Sequence, residues 1–213
     1  MGVTQWRERN HAAEVEETVA TGGIDVSGLN WEDLAACVKT CERCELHSSR
    51  TQTVFGVGNK NARLLLIGEA PGAEEDRQGE PFVGAAGQLL TAMLAAIGLQ
   101  RSDVYIANIL KCRPPGNRDP KPQEVAECNA YLKRQVELIQ PDMVLALGRI
   151  AAQNLLQTSE NLGKLRGQWH SFGVAKTPLW VSYHPAYLLR SPTEKQKSWQ
   201  DLKQVRDFLA RVS

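Results

Sequence analysis

At 213 residues, with 42% hydrophobic and 23% charged side chains, the chain is sized for a single globular domain with a full core. A formal net charge of +1 excludes binding by bulk charge, so a nucleic-acid partner has to meet a local basic face. Arg7, Glu8, Arg9, Glu14, Glu16 and Glu17 exclude the apolar core of a signal peptide, and the longest near-apolar stretch, residues 89–99, is too short and interrupted to span a bilayer. A cytoplasmic monomer with no membrane partner is expected.

Residues 1–30 read as a flexible N-terminal extension, polar, acidic in the middle and without apolar periodicity. Residues 31–213 read as one domain. Residues 31–41 form a predicted helix that Asn30 caps, with Asp33 in its first turn. Residues 64–67, Leu-Leu-Leu-Ile, are a continuous apolar run stopped by Gly68, the pattern of a buried parallel strand. A helix follows over 86–97, closed by Gly98, then a strand at 104–107 and a long helix at 122–139. Residues 143–147 give a third strand ended by Gly148, residues 150–156 a short helix, residues 179–183 a fourth strand, and residues 197–211 a closing helix. Strands alternating with helices argue for an α/β fold, a three-layer α/β/α sandwich around a four-stranded parallel sheet. Ligands of such sheets sit beyond the carboxyl ends of the strands.

Four of the five cysteines are spaced as Cys41-x2-Cys44 and Cys112-x15-Cys128. In a reducing compartment, clustered cysteines are metal ligands or redox groups more often than disulfides. The split spacing fits a zinc ribbon poorly. It points to four thiolates from two parts of the fold meeting on one cluster, a 4Fe–4S centre. Cys37, one helical turn before Cys41, reads as helix packing.

The unusual residues gather at the strand ends. Gly68-Glu69-Ala70-Pro71-Gly72 follows the first strand, with Pro81-Phe82-Val83-Gly84 beyond it. Asn108 and the run from Lys111 to Arg118 follow the second strand, and His184 to Arg190 the fourth. Each has a plain structural explanation when taken singly, as a turn glycine, a capping amide or a hydrogen-bonded histidine. Together they bring a carboxylate, an aromatic ring, an amide and an imidazole to one rim. The Gly68 loop lacks both dinucleotide and P-loop spacings, and the chain has no serine-hydrolase elbow and no zinc-protease motif.

From Cys41 to the C-terminus the chain resembles the family-four, iron–sulfur uracil-DNA glycosylases. The resemblance rests on the cysteine quartet, Gly-Glu-Ala-Pro-Gly, Pro-Phe-Val-Gly, Asn108 with Lys-Cys-Arg-Pro-Pro, and His-Pro-Ala-Tyr-Leu-Leu, in that order. It implies a uracil-DNA glycosylase-like fold, a 4Fe–4S cluster on Cys41, Cys44, Cys112 and Cys128, uracil-containing DNA as the partner, and base excision repair as the role. A glycosylase flips its nucleotide and reads the base edge in a pocket. By the resemblance, Phe82 stacks on uracil and Asn108 reads O4 and N3–H. His184 donates to O2 as negative charge grows there, and Glu69 stabilises the sugar cation or orients water. Backbone amides around Ala70 and Gly72 face the base or a phosphate.

Well-known uracil-DNA glycosylases carry a water-activating Asp where this chain has Ala70, which leaves Glu69 as first choice for the general base and Asn108 as a water-orienter. The stretch after the second strand lacks the histidine with which a related branch traps the sugar, so ordinary turnover is expected. The 184–190 loop resembles one that enters the minor groove, with Leu188 or Leu189 as wedge and Arg190 on phosphate. Arg113, Arg118, Lys121, Arg166 and Lys195 are candidates for the same basic face. Two readings from other classes compete: a redox-sensing or electron-transfer iron–sulfur protein, and a zinc-bearing nucleic-acid-binding module without catalysis. The first accounts for the cysteines and leaves the strand-end residues without a purpose.

Overall fold

The computed structural model describes residues 25–212. Most of the expected N-terminal extension lies outside these residues. Of its last six, Val26 is buried and Leu29 offers its carbonyl to Arg134 at 2.9 Å.

Among the described residues the elements run β1 (Val57–Gly58) and β2 (Leu64–Gly68) after α1 (Trp31–Lys39), then α2 (Ala73–Gln78), α3 (Ala85–Ala95), β3 (Tyr105–Asn108) and α4 (Pro122–Ile139). The second half holds β4 (Met143–Leu147), α5 (Arg149–Leu156), α6 (Leu162–Leu165), β5 (His170–Phe172), β6 (Thr177–Ser182), α7 (Pro185–Arg190) and α8 (Lys195–Arg211). Six strands form one sheet in the order β1-β3-β2-β4-β6-β5. The pairs β3–β2, β2–β4 and β4–β6 are parallel, and β1 and β5 close the two edges antiparallel. The sheet is therefore mixed and six-stranded, where a four-stranded parallel one was expected. The two added strands are only two and three residues long, too short to carry a period-2 signal.

Side chains alternate between two cores, as a pleated strand requires. Leu65, Ile67, Tyr105, Ala107, Val144, Ala146, Leu179 and Val181 face α4 and α5. Leu64, Leu66, Val104, Ile106, Met143, Leu145, Leu147 and Trp180 face α3 and α8. Helices thus cover both faces, the three-layer arrangement. The central strands are buried along their whole length, which explains their continuous apolar runs.

A third apolar cluster sits beside the sheet and joins Leu34 and Val38 of α1 to Cys128 and Tyr131 of α4. Asn30 caps α1 by accepting from the Asp33 amide at 2.9 Å, as expected. Trp31 locks the helix onto the sheet through edge contacts with Phe55 and Tyr105 at 5.4 and 5.1 Å.

The chain leaves β2 for β3 on one side and then crosses to β4 on the other. That reversal opens a crevice at the carboxyl end of β2, where open α/β sheets bind ligands.

Candidate active site

A cleft of about 440 Å³ opens at that crevice, and most of the expected residues meet in it. Glu69, Ala70 and Gly72 come from the end of β2, Asn108 from β3, Phe82 from the loop before α3, and His184 and Arg190 from α7 and its cap.

Asn108 is 2% exposed, and its Oδ1 has no hydrogen-bond partner. Buried polar atoms are almost always paired, so an orphaned acceptor at the floor of a cleft is fitted to a ligand's donor. Phe82 lies beside it, 6% exposed and held at φ 56°, a left-handed conformation that costs a non-glycine residue energy. Three contacts hold it there. Arg101 donates to the carbonyls of Phe82 and Pro81 at 3.3 and 2.9 Å. Glu75 Oε1 accepts from the amides of Val83 and Gly84 at 2.9 and 3.1 Å. Gly87 lets α3 come so close that a side chain there would collide with the Phe82 carbonyl.

His184 caps α7, its Nδ1 accepting from the Ala186 amide at 3.1 Å. That bond assigns the proton of the neutral ring to Nε2. Burial, reinforced by nearby Arg190, pulls the imidazole pKa down to about 4. The ring is therefore a neutral N–H donor near pH 7. It lies 5.4 Å from the Phe82 ring, tilted by 30°.

Glu69 is the opposite case. Burial first, and then the charge of Asp119, raise its carboxyl to about 7, while Arg149 pulls the other way. Arg149 itself is paired with Asp119 at 2.6 Å. A carboxylate poised near neutrality in a cleft has the protonation properties of a general base.

Two expected DNA contacts are placed elsewhere. Leu188 is 1% exposed and packs in the core with Trp180 and Leu202, so it has no access to a DNA groove. A six-residue helix at this position turns that side chain toward the sheet. Arg113 lies outside the cleft and donates to Asn117 Oδ1 at 2.7 Å. Leu189 is 45% exposed and does not line the cleft. Among the wider basic candidates, Arg118 reaches the cleft but is committed to Glu124 by bonds of 2.9 and 2.6 Å, Arg166 pairs with buried Asp201, and Lys121 pairs with exposed Glu45.

Glu75, Arg101, Asp119, Arg149 and Tyr187 are site residues the sequence reading missed. Glu75 stood in plain view three residues after Gly72. The roles of Arg101, Asp119 and Arg149 depend on contacts between distant elements, which no local pattern announces.

The four cysteines border one cavity, with Arg43, Arg50, Lys111 and Tyr131. Among the described residues no group of three or more His, Cys, Asp or Glu is set to hold a single metal ion. The two observations differ in scale. A zinc ion with Zn–S bonds of about 2.3 Å draws its thiolates within about 4 Å of one another, whereas a cubane spreads them around a larger core. The surroundings suit an anionic group. Arg50 donates to Cys112 Sγ at 3.2 Å, and the Lys111 amide donates to Cys128 Sγ at 3.4 Å. Lys111 is 1% exposed, and its ammonium donates to Gln135 Oε1 at 2.6 Å and to the Asn108 carbonyl at 3.1 Å. Those acceptors are neutral and burial lowers the ammonium pKa to about 8, so an anionic group held by the cysteines beside it would balance this buried cation. Cys37 stays apart, with its Sγ 3.9 Å from Tyr131 Oη.

With this geometry, the fold defines an α/β protein with a cleft at the end of its central strand β2. The uracil-DNA glycosylase superfamily model matches residues 55–203. The chain is 43% identical to the type-4 uracil-DNA glycosylase of Archaeoglobus fulgidus over 84% of this chain and 94% of that protein. It is 41% identical to the type-4 uracil-DNA glycosylase of Thermotoga maritima, over 82% and 92%. A type-5 uracil-DNA glycosylase of Pyrobaculum aerophilum is more distant, at 32% over 71% and 73%. The chain belongs to the uracil-DNA glycosylase superfamily, in its type-4 family.

The raised Glu69 predicts a pH profile. If the ionised carboxylate is the working form, kcat rises with pH through about 7 and levels off above it. His184, held neutral down to about pH 4, adds no limb in that range. Glu69→Gln should remove the limb and lower kcat by about 10²- to 10⁴-fold. A limb that persists in the variant assigns it to another group.

Proposed function

We propose that the protein is a monofunctional uracil-DNA glycosylase that hydrolyses the bond between uracil N1 and deoxyribose C1′, leaving an abasic site for base excision repair. The orphaned Oδ1 of Asn108, buried beside Phe82 and across from a neutral imidazole donor, is the observation that carries this reading. Uracil offers a flat face, an N3–H donor, and acceptors at O4 and O2. Phe82 takes the face. Asn108 accepts from N3–H and donates to O4. Cytosine reverses both polarities at those atoms and would leave buried groups unpaired, a penalty large enough for strong rejection.

Bond cleavage leaves positive charge on the sugar and negative charge on the departing base. His184 Nε2–H donates to O2, where that negative charge collects, and a donor already fixed by its helix cap needs no reorganisation at that moment. Glu69 faces the cation and takes a proton from the water that attacks C1′. Ala70 and Gly72 supply backbone amides and close approach at the same wall, Arg190 holds a phosphate, and Leu189 and Arg113 are outer DNA contacts.

Cys41, Cys44, Cys112 and Cys128, which border one cavity, would hold a 4Fe–4S cluster, and with all four thiolates as its ligands the cluster would serve the structure and not the reaction. The residues around it brace the 111–121 segment. Lys111 links this region to Asn108, Arg43 joins Glu127 at 2.6 Å, and Glu124 secures both Arg118 and the Lys121 amide.

Purified protein should leave alkali-labile abasic sites in uracil-containing oligonucleotides. Absence of uracil release from both single- and double-stranded DNA overturns the reading. Asn108→Asp should lower uracil release by about 10- to 100-fold and make cytosine release detectable, because a carboxylate accepts from the cytosine amine and repels uracil O4. Unchanged preference would contradict the role given to Asn108.

The cluster has its own readout. Iron–thiolate charge transfer gives a broad absorbance near about 400 nm, which zinc lacks. Cys112→Ala should abolish it and lower the melting temperature. A colourless wild-type protein containing zinc would overturn the assignment.

A further inference from the structure

Burial of Leu188 leaves exposed Leu189 as the wedge the resemblance offered from the 184–190 loop, and Leu189 does not line the cleft. Tyr187 is the aromatic residue of that loop that lines the cleft, beside His184 and Arg190, and it is 37% exposed. Its ring is held in place. It stacks on Tyr183 at 5.0 Å with an interplanar angle of 29°. The Arg166 guanidinium lies 4.1 Å from the centre of the Tyr183 ring.

Arg166 is in turn fixed from the protein interior. It donates to Asp201 Oδ2 at 3.0 and 2.7 Å and to the Lys197 carbonyl at 3.1 Å. The same Asp201 oxygen accepts from Ser182 at 2.8 Å, and the Ser182 hydroxyl also meets Ser198 at 3.0 Å. Ser182 ends β6 and immediately precedes Tyr183 and His184. One buried polar network thus supports a column of three planar groups that ends in Tyr187 at the mouth of the cleft. A side chain ordered before binding loses little rotamer freedom on contact. An exposed aromatic face is a stacking surface for any base, whatever its sequence.

We infer that Tyr187 stacks on a DNA base flanking the extruded uridine, sharing the role that the resemblance gave to Leu188 or Leu189, and that the Arg166–Tyr183 column holds its ring ready. The inference rests on the glycosylase reading and adds to it a DNA-contact residue and the kind of surface that residue recognises. Leu189 lies outside the cleft lining.

The test uses the full chain as wild type, Tyr187→Ala, Tyr187→Phe and Leu189→Ala, on duplexes carrying 2-aminopurine next to uracil. Tyr187→Ala should lower kcat/KM on duplex uracil by about 10- to 100-fold and abolish the change in 2-aminopurine fluorescence on binding. Tyr187→Phe, which keeps the ring, should retain both to within about threefold. Leu189→Ala should cost less than Tyr187→Ala. Because Tyr187 is exposed, thermal melting should be nearly the same in all four proteins, which separates stacking from folding. Wild-type fluorescence and kinetics in Tyr187→Ala overturn the inference, and so does a Phe variant as impaired as the Ala variant. Failure of the wild-type protein to release uracil overturns the glycosylase reading instead, and the fluorescence comparison still reports on Tyr187.

Discussion

The cleft depends on the absence of one side chain at the end of the central strand. A Cβ at Gly68 would lie 2.5 Å from Asn108 Oδ1 and 2.7 Å from the Phe82 ring, closer than real Cβ atoms come to any neighbour. Because β2 ends in glycine, the amide of β3 and the ring of the following loop can close over the strand terminus. Gly148 does the same at the end of β4, where a Cβ would lie 2.9 Å from that of His184. Its φ of 91° is a conformation that favours glycine. Two glycines at the ends of neighbouring parallel strands let an amide, a phenyl ring and an imidazole approach a common centre.

Around that centre the protein spends polar contacts on fixing backbone. Glu75 and Arg101 hold the Phe82 loop from opposite chemistries, one accepting amide protons and one donating to carbonyls. Lys111 bonds the Asn108 carbonyl from beneath, and Gln135 continues the link to the Phe55 carbonyl at 3.0 Å. The cysteine cavity lies at the far end of the same set of contacts, with no cysteine in the cleft. A metal centre held by those cysteines would stabilise the folded arrangement of its ligands, and that arrangement includes the segment joined to Asn108 through Lys111. The cysteine cavity and the cleft are separate places joined by one buried lysine.

Much of this was legible in the amino-acid order. α4 over Pro122–Ile139 and β4 over Met143–Leu147 match the expected bounds, because a proline start and a glycine stop mark them. The strand-end pattern alone brings Glu69, Phe82, Asn108 and His184 to one rim. What stayed hidden depended on three-dimensional context. β1 and β5 are edge strands defined by their partners. Leu188 and Leu189 are adjacent and chemically identical, and only the rotation of α7 decides that one is core and the other exposed. Asp119 and Arg149 are 30 residues apart, and their effect on Glu69 exists only once the sheet has assembled.

The cap on α7 links two events that appear unrelated. The lone pair of His184 Nδ1 holds the first turn of that helix, and the other nitrogen carries the proton of the neutral ring. Strong acid would occupy that lone pair and set N–H against N–H at the helix start. Acid would then withdraw the anchor of the segment carrying Tyr187, Leu189 and Arg190 at the moment it changed the imidazole's charge. The charge of the ring and the hold on α7 would therefore change in a single transition, because the capping lone pair and the Nε2 proton belong to the same imidazole.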